Sequence, residues 1–335
     1  MKPISTLIVR HMNGNVPMEY SQFTEIERES AVRTAFLKEI GLEGAYSPKA
    51  FRKAYSKNES LVYEIIEEIV DDSVKGIDTN PFFNMFVQRH DLDAGDTNEF
   101  VIKGKGSLVV SETAANFSVK RQRVESGQSF TVLPKTFTVS AFEYVDRLAA
   151  GKTTFAEFVQ EIRDAVILKL ETLAHETLAL SLSNLPSAFI ANGTYDESAI
   201  MDVIELVSAV NQKTPILVGT RSSLAKLQNK TVVGLSDGQR EQKARQGYVT
   251  DWNGSLCVAI DNFVKTGTHN LVMATNEIYV MSADDRPIKL TTESGEVVKS
   301  LSGTDTQDNT VSLTLQFKAG CACVHADVLG KIVIA

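Results

Sequence analysis

Residues 154–182, TFAEFVQEIRDAVILKLETLAHETLALSL, are the clearest element in the chain. Thr154-Phe155-Ala156-Glu157 has the form of a capping box, in which the Thr hydroxyl and the Glu carboxylate each satisfy an amide left open by the first helical turn. Phe155, Phe158, Ile162, Val166, Leu170, Leu173 and Leu180 then recur at steps of three, four and seven, with no Gly or Pro before Pro186. At roughly 1.5 Å per residue such a helix spans about 43 Å, where an ordinary helix has about 11–12 residues. A helix that long acts as a spine on which other elements are laid.

On its N-terminal side the period changes. Phe100-Val101-Ile102 and Ser107-Leu108-Val109-Val110 are short β-like runs, and Arg121 to Val124 and Ser129 to Val139 alternate as strands around a Ser126-Gly127-Gln128 turn. Between Asp96 and Lys135 six basic residues (Lys103, Lys105, Lys120, Arg121, Arg123, Lys135) face four acids (Asp96, Glu99, Glu112, Glu125). A two-stranded ribbon cannot bury a core by itself, so it lies on its own protein or reaches a neighbour. Further upstream the chain reads as helical and charged. One helix is expected over Ser21–Ile40, interrupted by Gly41, Gly44 and Pro48. Another is expected from about Ser60 to Lys75 with Leu61, Ile65, Ile66, Ile69 and Val70 on one face, closed by Gly76 and Pro81. Glu67, Glu68, Asp71 and Asp72 lie on that helix as a solvated face or as partners in an inter-subunit salt bridge. Residues 1–58 read as an arm, the alternative being a small helical domain of its own.

Beyond the spine, Asp196 opens a shorter helix to about Gln212, Thr214–Gly219 forms a strand, and Leu224–Gln228 forms a helix: a β-turn-α unit in a mixed domain. Asn229–Gln246 is polar and reads as a loop. Leu256–Ile260, Asn270–Ala274 and Glu277–Met281 read as strands, and Ile288–Ala335 is almost wholly β. The fold class is therefore α+β.

Composition narrows the function. The 335 residues include 34 Lys and Arg against 42 Asp and Glu, a formal charge of −8, and 43 % are hydrophobic. The acidic balance argues against a reader of duplex DNA, which needs a dense basic footprint. No apolar run approaches the roughly 18 residues of a membrane span. The apolar stretch before Arg10 is too short for a secretory signal, and three cysteines (Cys257, Cys321, Cys323) make no disulfide framework, so use in the cytoplasm is expected. No cofactor is expected. Cys321, Cys323 and His325 share a strand face, but in-line neighbours about 6–7 Å apart chelate one ion poorly. His175 reads as a packed or interface residue. Gly104-Lys105-Gly106 lacks the helix and Ser/Thr of a phosphate loop, and no nucleophile elbow, Walker motif or zinc-protease motif is present. No catalytic constellation stands out.

The order of parts resembles the major capsid proteins of tailed double-stranded DNA phages, the Hong Kong 97 fold. A helical arm precedes a basic ribbon, one exceptional helix, a compact unit containing Thr214-Pro215-Ile216-Leu217-Val218-Gly219-Thr220-Arg221, and a β-rich end. Gly247-Tyr248-Val249-Thr250-Asp251-Trp252-Asn253-Gly254 and Asn276-Glu277-Ile278-Tyr279-Val280-Met281 are also similar to that family. The resemblance implies an N-arm (1–58), the start of a P-domain (59–95), an E-loop (96–136), the P-domain with its spine helix (137–195), an A-domain (196–285) and a β-rich C-terminal part of the P-domain (286–335). It implies a non-enzymatic protein of the virion capsid, assembled in the host cytoplasm from hexamers and pentamers into an icosahedral head enclosing double-stranded DNA. Its further partners would be a portal and scaffolding or decoration proteins. The ribbon would lie over an adjacent subunit, the arm would clasp a neighbour, and the segment near 229–250 would face the capsomer axis. Inter-subunit contacts are expected from Lys103, Lys105, Lys120, Arg121, Arg123, Lys135, Glu67, Glu68, Asp71 and Asp72. Many relatives carry a long leading segment cleaved after assembly. With 58 residues here, the expectation is a separate scaffolding protein or an arm with a limited scaffolding role. Some relatives crosslink through an E-loop lysine, for which Lys103, Lys105 and Lys120 are the positional candidates. The DNA-facing surface is expected to be weakly charged or acidic, so that packed DNA can slide. Alternatives are an encapsulin shell, a head-completion or tail protein, and an α/β metabolic enzyme.

Overall fold

The spine is a single helix. The computed structural model describes residues 3–12, 23–44, 47–76, 81–93, 96, 98–102, 121–122, 127–227, 236–265, 268–282, 286–301, 310–324 and 327–334. In it α7 runs Phe155–Ser183, and its capping box forms as the sequence predicts: Thr154 N–H donates to Glu157 Oε2 at 2.6 Å and Glu157 N–H to Thr154 Oγ1 at 3.2 Å. Its buried stripe follows Phe158, Ile162, Val166, Leu170, Ala174, Leu178 and Leu182, an i,i+4 row. Such rows incline to the helix axis by about 26°, so the stripe winds round the helix and meets different partners at its two ends. The expected Leu180 falls off that row and is 69 % exposed, while Leu178 and Leu182 are buried in its place.

Around the spine lie α1 (Pro3–Met12), α2 (Glu25–Glu39), α3 (Pro48–Lys57), α4 (Glu59–Gly76) and α5 (Pro81–Phe86), then β1 (Val87–Leu92), β2 (Phe100–Ile102), β3 (Gln128–Phe130), β4 (Lys135–Tyr144) and α6 (Val145–Ala150). Ile8, Phe36, Ile40, Phe51, Val62, Ile65, Ile66 and Ile69 join the core that the spine buries, and Phe36 stacks on Phe155 with ring centroids 4.1 Å apart. Arg33 Nη2 adds a bond to Ala149 O at 3.0 Å. The helices described within 1–58 therefore pack on their own chain. One local reading also changes. Pro48 starts a helix, because at the first helical position its missing N–H is no loss and Ser47 caps the turn. The run before Arg10 is helical, with Ile4 and Ile8 one turn apart on its buried side.

After a short 3-10 turn come β5 (Ile190–Gly193), α8 (Glu197–Asn211), β6 (Pro215–Gly219), α9 (Arg221–Leu227), α10 (Asp237–Gln246), β7 (Asp251–Trp252), β8 (Ser255–Ala259), β9 (Glu277–Ser282), β10 (Ile288–Leu301), β11 (Thr310–Cys323) and β12 (Gly330–Ile334). One sheet has the order β1-β10-β11-β4 and lies on α4 and α7. The other, β5-β12-β9-β6-β8-β7, is mixed. Strand alternation gives this second sheet two buried faces: Ile216, Val218, Tyr279 and Met281 turn to the spine-side core, and Leu217, Ile278, Val280 and Ile332 to a second core under α8 and α9.

Three expectations are corrected here. The loop assigned to Asn229–Gln246 contains α10, held by a Ser236/Gln239 capping box and a left-handed Gly247. Asn270–Ala274 forms one isolated antiparallel bridge, Val264↔Leu271, and no longer strand, because beyond it the Asn262 side chain pairs with the backbone of Met273 in both directions, at 2.8 and 3.0 Å. The run Ser129–Val139 is split, because Pro134 has no N–H and separates β3 from β4.

Candidate assembly interface

The root of the ribbon is built for rigidity. Asn98, 4 % exposed, donates from Nδ2 to Val132 O at 2.5 Å and accepts the Val132 N–H at 2.7 Å, so one side chain closes the ribbon as a strand pair would. Above it β2 pairs with β3, and Phe100 is stacked between His90 of β1 (4.3 Å) and Phe130 of β3 (5.7 Å). Below it Gly320 of β11 leaves no room: a Cβ there would stand 2.7 Å from Thr291 Oγ1, 2.8 Å from Leu133 O and 3.0 Å from Val132 Cγ1. While this root is fixed, Val101 and Leu133 beside it are 70 % and 79 % exposed.

Of the ten contact residues expected from the sequence, Lys103, Lys105, Lys120 and Arg123 lie outside the described residues. Arg121 is exposed, as is Lys135 at the first position of β4. Glu67, Glu68 and Asp71 are half-buried on α4 and already engaged in interactions, whereas Asp72 is exposed. Their shared helix buries Val62, Ile65, Ile66, Ile69 and Val70 on its other side. The structure thus gathers the acids on the body and leaves Arg121 and Lys135 by the ribbon. Sequence reasoning missed α10. This helix has no fully buried residue, carries no large apolar side chain, and contains Arg240–Asp237 (3.7 Å) and Arg245–Glu241 (3.9 Å) pairs, while Thr250 Oγ1 donates to Gln242 Oε1 at 3.3 Å.

Among the described residues the other titratable groups singled out by the sequence are dispersed. His175 is 2 % exposed, stacked on Phe82 at 4.1 Å and tilted against Phe263, and burial lowers its pKa to about 4. Burial pushes the Cys321 thiol up to about 11 and that of Cys257 up to about 12, so both are inert at neutral pH. His325 lies outside the described residues, and among those described no group of three or more His, Cys, Asp or Glu could hold a metal. Asp71, Asp91, Asp93 and Glu293 line the cleft between α4, β1 and β10, where Asp91 pairs with Arg89 and Glu293 with Lys318, each at 2.6 Å. Among the described residues no helix is long and apolar enough to cross a membrane.

The model of one protein family, described as "SPbeta prophage-derived putative capsid protein YonB", matches residues 6–333. The chain belongs to this capsid protein family. Among curated proteins none matches. Among solved structures the chain is similar to the mature capsid of bacteriophage PhiM1, with 12 % identity over 76 % of this chain and 87 % of that one and a TM-score of 0.50. The capsid of cyanophage P-SCSP1u (14 % identity, 76 % and 88 % covered, TM-score 0.49) and the procapsid of satellite phage P4, which includes a size determination protein (10 %, 93 % and 97 %, TM-score 0.47), are also similar. The fold is the Hong Kong 97 type, and the capsid family's role is structural.

Proposed function

We propose that this capsid protein assembles with itself, as hexamers and pentamers, into an icosahedral phage head that encloses double-stranded DNA. The observation that carries the reading is the family match over nearly the whole chain. The fold supports it through the rigid ribbon root beside exposed Val101 and Leu133, which suits a ribbon laid over an adjacent subunit. In this reading the segments keep the boundaries given by the resemblance, from N-arm to C-terminal P-domain, and α10 stands at the capsomer axis. Among the described residues Arg121, Lys135 and Asp72 are the contact candidates left exposed. A portal and a scaffolding protein complete the head in the host cytoplasm, and the DNA-facing lining carries little positive charge.

The prophage-derived description of the family favours a phage head over an encapsulin. Negative-stain microscopy of the purified protein, followed by nuclease treatment of particles from infected or induced cells, tests both points. Uniform polyhedral shells with nuclease-protected double-stranded DNA are expected. A protein cargo in place of DNA would turn the reading toward an encapsulin, and a small monomer or dimer would reject it.

A further inference from the structure

Strand β4 ends the four-stranded sheet, and among the described residues no strand lies on its outer side. Its pairing with β11 is unbroken from Thr310↔Tyr144 to Ala319↔Lys135. The usual protections of a sheet edge are a bulge, a proline within the strand, a short run or several charges. This edge has ten regular residues, no bulge in that register and no internal proline. One face turns Thr136, Thr138, Ser140, Phe142 and Tyr144 outward without a charge. Phe142 and Tyr144 are 63 % and 47 % exposed and in edge-to-face contact at 6.1 Å. The other face carries Phe137, Val139 and Ala141 against the core, with exposed Lys135 at one end and half-buried Glu143 at the other, where Glu143 Oε1 already accepts the Tyr144 N–H at 2.9 Å and stands 3.7 Å from Arg147 Nε.

That order is self-complementary. In an antiparallel pair of two β4 strands centred on Val139, Lys135 of each copy lies opposite Glu143 of the other, twice by symmetry. Thr136 then lies opposite Phe142, Thr138 opposite Ser140, Phe137 opposite Ala141, and Tyr144 opposite Pro134, which closes the pairing. Centring one residue earlier or later removes both charge pairs. Opposite charges and aromatic–β-branched partners directly across a ladder are the favourable cross-strand combinations. We propose that β4 pairs with β4 of a second copy across a two-fold axis, joining two four-stranded sheets into one of eight with both spine helices on the same side. This rests on the self-assembly reading above and names one contact by which it occurs. An isologous contact of this kind closes on itself and links two subunits without lengthening into a fibre.

A cysteine placed at the axis meets only itself. Paired antiparallel residues have Cα atoms about 4.5–5.5 Å apart, within reach of a disulfide. Val139→Cys particles should therefore give a dimer band on a non-reducing denaturing gel after mild oxidation with diamide. Thr136→Cys should give none, because the two copies of position 136 stand about 20 Å apart in this register. Lys135→Glu, which leaves the Glu143–Arg147 pair within the subunit intact, places like charges opposite one another and should raise the concentration needed for association about tenfold. Adding Glu143→Lys to it restores the opposite charges across the ladder and recovers association, less the Arg147 pair that it removes. Circular dichroism confirms that each variant is folded. Wild-type particles whose Val139→Cys form does not crosslink, or whose single and double charge variants assemble alike, would overturn the pairing and leave the shell reading intact. A wild-type chain that stays monomeric would overturn both.

Discussion

Acidification should destabilise the subunit through one buried histidine. His175 sits in a small cleft between α5, the spine and the end of β8, lined by Phe82, Met85, Phe86, Val258, Ile260 and Phe263, with its Nδ1 buried and without a hydrogen-bond partner among the described residues. Burial holds its folded-state pKa at about 4, against 6.5 for an ordinary histidine. Between these values the unfolded chain binds the extra proton and the folded one does not, so stability falls as pH falls from 6.5 toward 4. The loss is slight at pH 7, about 2 kcal/mol at pH 5, and approaches ~3 kcal/mol below pH 4. Carboxylates titrate in the same range, so the decisive quantity is a difference between proteins. His175→Phe keeps a ring between the Phe82 and Phe263 rings and removes the titration. Urea unfolding of dissociated subunits at pH 7 and pH 5 should show the wild type losing about 2 kcal/mol more than His175→Phe. Parallel pH profiles for the two proteins would refute the reasoning, since they would mean that the imidazole is solvated or protonated in the fold.

Other perturbations probe other parts. Gly320→Ala sets a methyl group 2.7 Å from Thr291 Oγ1 and 2.8 Å from Leu133 O. It should cost about 1–3 kcal/mol in subunit unfolding and impair particle formation further by displacing the ribbon root, as light scattering would report. Thr154→Ala removes the cap of a helix central to the core and should lower global stability by about 1 kcal/mol. Ser236→Ala removes a cap of the same kind from α10, which has no fully buried residue. Hydrogen exchange should therefore show local fraying of residues 237–246 with global stability unchanged.

Elements were legible where local chemistry and packing agree. The spine announces itself through Thr154, Glu157 and an apolar row, and β6, buried on both faces, through Pro215-Ile216-Leu217-Val218-Gly219. Strand β1 escapes because its Gln88-Arg89-His90-Asp91 run is polar and becomes a strand only by parallel pairing with β10. The helix α10 could have been read from Ser236 and Gln239, but two glycines and uniform polarity mask that signal. The basic ribbon was visible as composition. What makes its root rigid was not, because Asn98 meets Val132 across 34 positions and Gly320 meets Leu133 across 187, and spacing along the chain carries no trace of either contact. The long N-terminal helices were visible as helices, but their attachment to their own spine depends on pairings such as Phe36 with Phe155 that only the folded chain reveals.

Electron cryomicroscopy of particles formed by the purified chain tests the central claim most directly. Closed shells with five-fold and six-fold clusters of this subunit, the 96–136 ribbon lying on an adjacent copy and α10 near the cluster axis, are the predicted result. A dispersed monomer at assembly concentrations, or particles in which the ribbon folds back on its own subunit, would contradict the account.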